Sequence, residues 1–346
     1  MSDTATNRTG PRYLVCGTNW LGDAVMSMPA LQAFRRAAPQ AEVIMLVKPP
    51  LADLWRMHSA VDRVEVYDDT FNGARAAAAQ LRHADLARAY VFPNSFRSAL
   101  VPFLARVPER VGAAGHWRRA MLTDIVAFKR SSLRRHQAFE YFDILGLETA
   151  GFEVPRLTVP LEAIEAAGSL VGGQGSLRIG LFPGAARGPA KRWPATNFSR
   201  LGGRFARERG ASVAIFGAGS EEGLCSEVAR DIGESAINLA GRTSLPVLAA
   251  TLRTCNLVIC NDSGGMHLAA AVGTPVLAIY GLTDPSRTGP LGTHRRIVKA
   301  EAPASRDIAR TSAAAVTALA SVDPDRVYDA ALECLEMFKK KSVVSA

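Results

Sequence analysis

The chain has 346 residues, of which 48% are hydrophobic and 21% are charged, and its formal net charge is +9. This composition excludes a disordered chain, and the length suits two α/β domains better than one core. The first ten residues lack an apolar segment, so we expect no secretory signal in them. The five cysteines include no C-x-x-C pair, which favours a reduced compartment and argues against a metal cluster.

Strands and helices alternate from residue 13 onward. Short apolar runs predict strands over residues 13–16, 43–47, 64–67 and 86–92, and a helical pattern covers residues 23–37. Alternation of this kind is typical of a parallel sheet with helices on both faces. Ligands of such sheets bind at the carboxyl ends of the strands, so we expect functional residues in the turns that follow strands.

The alternation weakens after Gly151, where two prolines and the stretch 172–176 predict a linker, and it then restarts. Predicted strands cover residues 178–182, 212–216, 257–260 and 276–280, and predicted helices cover residues 197–209, 221–232, 245–253 and 266–272. We therefore predict an α/β fold class with two domains, residues 11–168 and 176–346. The uncharged run 263–283 is long enough to span a membrane, but its glycines and proline predict a turn, a short helix and a strand instead.

Positive charge is concentrated between Arg97 and Arg135, where nine Lys/Arg residues stand against Glu109 and Asp124. Aromatic residues are interleaved with these charges. A solvated surface and a surface that binds a polyanion both fit this pattern. A nucleic-acid binder is suggested by the charge alone, because the chain lacks the signature of any nucleic-acid-binding module.

Asp23 ends a glycine-bearing turn, residues 17–23, between the first predicted strand and the first predicted helix. Glycines let the backbone turn tightly and leave amide groups exposed near the helix start. Asp23 is therefore either the N-cap of the helix or a general base that takes a proton from an acceptor hydroxyl.

A second loop, residues 182–194, follows the first strand of the second half and contains Gly184 and Lys191. Backbone amides and a lysine are what a diphosphate site needs, although a plain basic loop has the same composition. The loop matches neither the Walker pattern nor G-x-G-x-x-G, so a dinucleotide site has no direct support.

A third turn, residues 261–267, joins a strand to a helix and presents backbone N–H groups at the helix N-terminus, which favours binding of an anion. Asp262 could hold sugar hydroxyls or orient Lys191. His267 either donates to a phosphate oxygen or is structural. The residues between them are Ser263, Gly264 and Gly265.

Two further residues lie in turns after strands. Glu221 could accept from ribose hydroxyls or be a first-turn acid that the helix dipole favours, and Thr243 could contact a base. The chain shows no Ser/His/Asp order, no metal-ligand spacing and no paired acid/base carboxylates, so hydrolases and metalloenzymes are disfavoured.

Three blocks, residues 17–23, 183–194 and 261–290, resemble the signature blocks of the lipopolysaccharide heptosyltransferases, glycosyltransferase family 9. The resemblance runs from about residue 13 to residue 335. Residues 92–102 and 188–194 are most similar to the heptosyltransferase II branch, which adds the second inner-core heptose.

The resemblance implies a GT-B fold, with two Rossmann-like domains whose parallel sheets face an interdomain cleft and a last helix available to pack back on the first domain. It implies an inverting transfer without a cofactor or an obligatory metal, in which Asp23 is the general base and Lys191 neutralises the departing ADP. The implied donor and nucleotide contacts are Gly184, Lys191, Glu221, Thr243, Asp262, Ser263, Gly264, Gly265 and His267. The expected acceptor contacts are Asn94, Ser95, Arg97, Trp117, Arg118 and Arg119.

The expected reaction moves L-glycero-D-manno-heptose from ADP-heptose to heptosyl-Kdo2-lipid A. We expect a monomer that contacts the cytoplasmic face of the inner membrane of a Gram-negative bacterium and binds no nucleic acid. Where many relatives have hydroxyl or acidic residues before the lysine, this chain has Ala185, Ala186 and Arg187, so those contacts are unassigned. The alternatives are heptosyltransferase I, another family 9 enzyme with a different core acceptor, a sugar-nucleotide epimerase, and a noncatalytic protein that binds nucleotides or polyanions.

Overall fold

The computed structural model describes residues 8–115, 117–128, 135–172, 177–305 and 308–344, with side chains of the last helix described as far as Phe338. The chain divides into two compact units, Met1–Thr158 and Val159–Ala346.

The first unit is built on one parallel sheet. Its strands are β1 Arg12–Cys16, β2 Glu42–Val47, β3 Arg63–Val66, β4 Leu86–Val91, β5 Glu109–Ala113 and β6 Asp124–Val126, and its helices are α1 Leu21–Ala37, α2 Ala52–Arg56, α3 Phe71–Leu81, α4 Phe96–Leu104 and α5 Ala138–Leu145. The strand order is β3-β2-β1-β4-β5-β6, so the direction of connection reverses between β1 and β4. A crevice is expected at the carboxyl ends of these two strands, because their connections leave toward opposite sides.

The second unit repeats this plan. Its strands are β7 Arg178–Phe182, β8 Ser212–Ile215, β9 Ala236–Asn238, β10 Leu257–Asn261, β11 Val276–Tyr280 and β12 Arg295–Lys299, and its helices are α6 Leu161–Val171, α7 Ala195–Arg209, α8 Glu222–Ile232, α9 Leu245–Arg253, α10 Gly264–Ala271, α11 Pro285–Thr288, α12 Ala313–Ala320 and α13 Pro324–Val344. The order β12-β11-β10-β7-β8-β9 reverses between β7 and β10.

The central strands are mostly apolar because helices cover both faces of a parallel sheet. All five residues of β7, β10 and β11 are buried. The α/β fold class is confirmed, and the run 263–283 forms the predicted turn, helix and strand. None of the helices in the described ranges has both the length and the apolar character that a membrane span requires.

The boundary between the units falls earlier than the sequence suggested. Helix α6 packs on α9 and buries Ala163 and Ala167, so the predicted domain end at residue 168 lies inside a helix of the second unit. Helix α13 contributes Val327, Tyr328 and Ala331 to the second core. Its return to the first domain stays a prediction.

The cysteines are part of the two cores. All five are buried free thiols. Burial raises the pKa of Cys16, Cys225 and Cys255 to about 12 and that of Cys334 to about 11, so these thiols stay protonated near neutral pH.

His58 is a buried histidine of the first unit, with 2% of its surface exposed. Its ring packs edge-on against Trp55, 5.5 Å between centroids, and neither ring nitrogen hydrogen-bonds to a described residue. Burial without a partner disfavours the charged ring, and it lowers the pKa of His58 from 6.5 to about 4.

We expect His58 to make the first unit sensitive to mild acid. Between pH 6.5 and 4 the unfolded chain binds a proton that the folded chain excludes, so stability falls as the pH falls through this window. His58→Leu should remove this contribution. In urea unfolding, the wild type should lose up to about 3 kcal/mol more than the variant between pH 7 and pH 4. Parallel pH profiles of the two proteins would contradict this assignment.

Candidate active site

The residues singled out by the sequence follow the central strands of each sheet. Asp23 follows β1 and Asn94 follows β4, which are the two strands at the reversal of the first sheet. Lys191 follows β7 and Asp262 follows β10, the corresponding strands of the second sheet. Each unit therefore brings its candidate residues to its own crevice.

In the second unit, Lys191 and Asp262 form an ion pair with 2.5 Å between Lys191 Nζ and Asp262 Oδ2. Their side chains are only 16% and 8% exposed. A pair this buried gains little net stability, because desolvation of both charges offsets their attraction. The pair is instead a cation held in place by a carboxylate at the position where a ligand of this fold would bind.

Asn261 joins the loop after β7 to the end of β10. Its side chain is fully buried, its Oδ1 accepts from Trp193 N at 2.9 Å, and its Nδ2 donates to Pro183 O at 2.9 Å. These bonds fix the loop that carries Lys191. Sequence reasoning missed Asn261, although an amide at the end of an apolar strand was a usable signal.

Glu221 lies over the same loop. One oxygen accepts from Ala218 N at 3.0 Å, and the other lies 3.7 Å from Arg192 Nη2. A Cβ atom on Gly184 would stand 2.3 Å from this carboxylate, so only glycine leaves room for it. Glu221 thus has one structural partner in its own turn and another in the loop after β7, and its predicted ribose contact stays a prediction.

Helix α10 begins at the switch point of the second sheet. Its N-cap, Ser263, makes no side-chain cap bond, and the first N–H groups of a helix have no intrahelical partner. A Cβ atom on Gly265 would meet the Phe182 ring at 2.5 Å, so glycine lets the helix start close to β7. Such a helix start favours an anion.

Two other predicted nucleotide contacts, His267 and Thr243, also lie in the second unit. His267 is in the second turn of α10 and is 3% exposed. Thr243 follows the edge strand β9 and precedes Ser244, the N-cap of α9. Both residues have the places that the sequence predicted, and their roles stay predictions.

In the first unit, Asp23 lines a cavity of about 220 Å³. Helix α1 begins at Leu21 with Trp20 as its N-cap, so Asp23 is the third residue of the helix and not its cap. The capping interpretation is therefore wrong. The helix dipole stabilises a carboxylate in this first turn, and Gln137 Nε2 donates to Asp23 Oδ1 at 3.1 Å.

A larger cavity, about 630 Å³, shares Asn19, Asn94 and Ser95 with the Asp23 cavity. The predicted acceptor residues Arg97 and Trp117 line it. Ser95 also caps α4, since its hydroxyl accepts from Ser98 N at 3.3 Å. Trp117 is 96% exposed and has a positive φ of 61°, a conformation that is strained for a tryptophan.

Asp69 organises two cations beside this larger cavity. Lys48 Nζ lies 2.6 Å from Asp69 Oδ2, and Arg97 Nη1 lies 3.2 Å from Asp69 Oδ1. The hydrogen bond from Lys48 is the largest influence that lowers the pKa of Asp69. Three charged groups from the ends of three different strands therefore meet at this edge.

Arg118 corrects the predicted acceptor set. Its side chain is fully buried, its Nε and Nη2 donate to Ala113 O at 2.9 and 2.6 Å, and its Nη1 donates to Ser98 Oγ at 3.2 Å and to Pro93 O. A guanidinium committed to these acceptors joins two loops and has no surface to offer an acceptor. The neighbouring Arg119 is exposed and lies outside the linings of the two cavities.

The predicted basic surface also has fewer available cations than the charge count suggested. Arg110 folds back on Met121 O at 2.7 Å and packs over the Phe103 ring, and Arg135 lies 3.8 Å from Asp143. Three of the nine cations, Lys129, Arg130 and Arg134, lie outside the described residues. Within the described ranges, the structure shows no group of three or more metal-ligating side chains.

Comparison with known proteins gives a family match. Residues 74–317 match the family model described as glycosyltransferase family 9 (heptosyltransferase). The lipopolysaccharide heptosyltransferase 2 of Escherichia coli K12 is 31% identical over 306 residues, which cover 83% of this chain and 88% of that protein. The lipooligosaccharide heptosyltransferase 2 of Haemophilus influenzae is also 31% identical over 306 residues, with the same coverage.

A solved structure with a similar fold is also found among known proteins. The solved structure of E. coli ADP-heptose lps heptosyltransferase II is 27% identical and superposes with a TM-score of 0.82. The match covers 95% of this chain and 99% of that one. The two chains therefore share both α/β units, in the same order, over almost their whole lengths.

We expect Arg118→Met to destabilise the first unit, because it leaves buried carbonyl groups without their donor. Each hydrogen bond to a charged group contributes about 1.5–3 kcal/mol, so the free energy of unfolding should fall by about 3 kcal/mol. Arg119→Met is the matched control, since that side chain is exposed, and it should change stability by less than about 0.5 kcal/mol. Equal stability of both variants in urea unfolding would show that Arg118 does not have the structural role assigned here.

Proposed function

Because the chain belongs to glycosyltransferase family 9, we propose that it transfers L-glycero-D-manno-heptose from ADP-heptose to the heptosyl-Kdo2-lipid A inner core. The enzyme is a heptosyltransferase, and its α/β fold is the GT-B type that the resemblance implied. The main support for the proposed donor is the buried Lys191–Asp262 ion pair beside the start of α10. Similarity to type 2 enzymes favours the second inner-core heptose over the first.

The donor diphosphate would bind in the second unit. The N–H groups at the start of α10 can hold phosphate oxygens, and Lys191 can exchange Asp262 for the β-phosphate. As the bond between the anomeric carbon and the diphosphate oxygen breaks, negative charge develops on the departing ADP. Lys191 lies in place to stabilise that charge, and preorganised donors of this kind are a large part of enzymatic rate enhancement.

The acceptor would bind in the first unit. Asp23 takes the proton of the acceptor hydroxyl, whose oxygen attacks the anomeric carbon opposite the leaving ADP and inverts its configuration. The larger cavity next to Asp23 supplies Arg97 for an anionic substituent and Trp117 for stacking on a sugar ring. No cofactor or metal enters this proposal, and each step uses side chains or backbone groups of the chain.

We propose in addition that the first unit contacts the inner membrane peripherally from the cytoplasmic side. Phe71, Phe96 and Trp117 follow the carboxyl ends of β3, β4 and β5, and they are 61%, 49% and 96% exposed. Arg75 lies over the Phe71 ring at 6.0 Å. Exposed aromatic rings with neighbouring cations suit the headgroup region of anionic lipids.

We expect Asp23→Asn to abolish transfer and to leave donor binding nearly unchanged. The amide keeps the shape of the side chain but cannot take the proton, so turnover should fall by about 10²–10⁴. The measurement mixes protein, ADP-heptose and heptosyl-Kdo2-lipid A, and determines the product mass and the affinity for ADP-heptose. The wild type should add one heptose.

Two results would count against the proposed function. Equal losses of donor affinity and turnover in Asp23→Asn would remove the base assignment. A wild type that binds ADP but leaves every inner-core acceptor unchanged would be a noncatalytic nucleotide-binding protein.

We expect Lys191→Ala to weaken both ADP binding and turnover. Loss of a charge-assisted contact should reduce ADP affinity about 10-fold or more, and turnover by about 10²–10³ because charge on the leaving group peaks in the transition state. Calorimetric titration with ADP and steady-state kinetics are the measurements. Arg230→Ala removes an exposed cation on α8 and is the control, so unchanged ADP affinity in Lys191→Ala would exclude the proposed role.

A further inference from the structure

Gln137 immediately precedes α5, at its N-cap position, and its side chain makes no cap bond to that helix. Its Nε2 instead donates to Asp23 Oδ1 on α1, at 3.1 Å and 114 residues away in sequence. A carboxylate offers only acceptors, so the nitrogen of the amide must face it. The bond therefore has a defined direction, from Gln137 to Asp23.

The same amide also interacts with the phenol of Tyr141, one turn along α5. Tyr141 is 5% exposed, and its ring packs on Phe92 with 5.0 Å between centroids. Burial, and then the charge of Asp23, raise the pKa of Tyr141 well above its usual value, so this phenol remains neutral. The Gln137 side chain is thus bounded by a neutral hydroxyl on one side and by the carboxylate on the other.

Helix α5 is a rigid base for this contact. Phe142 is fully buried, and its ring packs near those of Phe139 and Phe152, with centroid distances of 6.1 and 6.4 Å. Helices α1 and α5 also pack directly on each other. A side chain that is anchored this way can hold its partner within the narrow range of geometry that proton transfer requires.

We propose that Gln137 is a positioning residue, whose amide fixes one oxygen of Asp23 and so orients the carboxylate toward the hydroxyl of the acceptor. This inference rests on the proposed function, in which Asp23 is the base. Gln137 lines the same cavity of about 220 Å³ as Asp23, together with Asn94 and Ser95. The other titratable side chains in that lining are Glu140 and Tyr141.

A hydrogen bond from Gln137 to Asp23 affects the titration of the carboxylate, which packing alone would not do. A donor to the charged form of a carboxylate favours that form, so removing the donor makes the carboxylate hold its proton to a higher pH. The acidic limb of the kcat–pH profile should therefore move upward when the Gln137 amide is lost. A side chain that only supported the fold would change stability and leave this limb in place.

The experiment compares Gln137→Leu, which removes the donor, with Gln137→Glu, which keeps the shape and replaces the donor by a second carboxylate. In Gln137→Leu we expect kcat to fall about 10-fold and the acidic limb to rise by about one pH unit, because a hydrogen bond to a charged group has this order of strength. In Gln137→Glu the limb should rise further, because like charges repel. The KM for ADP-heptose should stay within about twofold in both, since uniform donor binding is untouched.

Gln32→Leu is the matched control. Gln32 lies on α1 and ties the segment after α5 to it, donating to Val154 O at 3.1 Å and accepting from Arg156 N at 3.0 Å. Its loss should reduce stability while the position of the acidic limb stays that of the wild type. Because Gln137→Glu is isosteric, the test remains decisive if Gln137→Leu folds poorly.

An acidic limb that stays in place in both Gln137 variants, or a kcat equal to that of the wild type, would overturn the proposal. If Asp23→Asn abolishes transfer and the limb is still unmoved, the positioning role fails and the proposed function stands. If Asp23→Asn retains turnover, the base assignment fails, and the role of Gln137 fails with it.

Discussion

Two neighbouring parallel strands whose connections leave toward opposite faces of a sheet cannot fill the space between their own loops. Both sheets of this chain contain such a pair, β1 with β4 and β7 with β10. The Asp23 cavity lies at the first pair, and the Lys191–Asp262 ion pair lies at the second. Each sheet thus has one reversal of strand order, and each reversal leaves a crevice for a ligand. The side chains at the reversal determine the chemistry of that crevice.

The two crevices differ in electrostatic character. In the second unit, a lysine is buried with a carboxylate partner beside the half-buried start of α10. The lysine and the N–H groups of the helix start favour binding of an anion. In the first unit, a carboxylate in the first turn of a helix accepts a hydrogen bond from a neutral amide, and the helix dipole favours negative charge at that position. One site suits a leaving group that gains negative charge, and the other suits a hydroxyl that loses a proton.

The long apolar strands were predictable because their pattern is local. Strands β7 and β11 have the predicted bounds, since hydrophobic residues make up most of the first and all of the second. Strands β6 and β9 have three residues each and β12 begins with two arginines, so neither their length nor their pattern separated them from loops. Their pairing with longer neighbouring strands gives them order, and that pairing is not a local signal.

Site residues were predictable as far as strand ends could be placed. The turn that carries Asp23 was identified, but choosing between cap and base required the first residue of α1, which the sequence left uncertain by a few positions. Arg118 was misassigned because a charge count carries no information on burial, and its two carbonyl partners lie at separate places in the sequence, Ala113 at the end of β5 and Pro93 after β4. Gln137 was missed for a related reason, since the residue to which it donates lies on another helix, 114 residues away in sequence.

The buried thiols give the protein a practical property. Since every native cysteine is enclosed and holds its proton at neutral pH, thiol-reactive dyes should react with the wild type very slowly. The wild-type protein can therefore be labelled at an introduced cysteine without first replacing its own five. One cysteine introduced on the surface of either unit would therefore accept a fluorophore selectively.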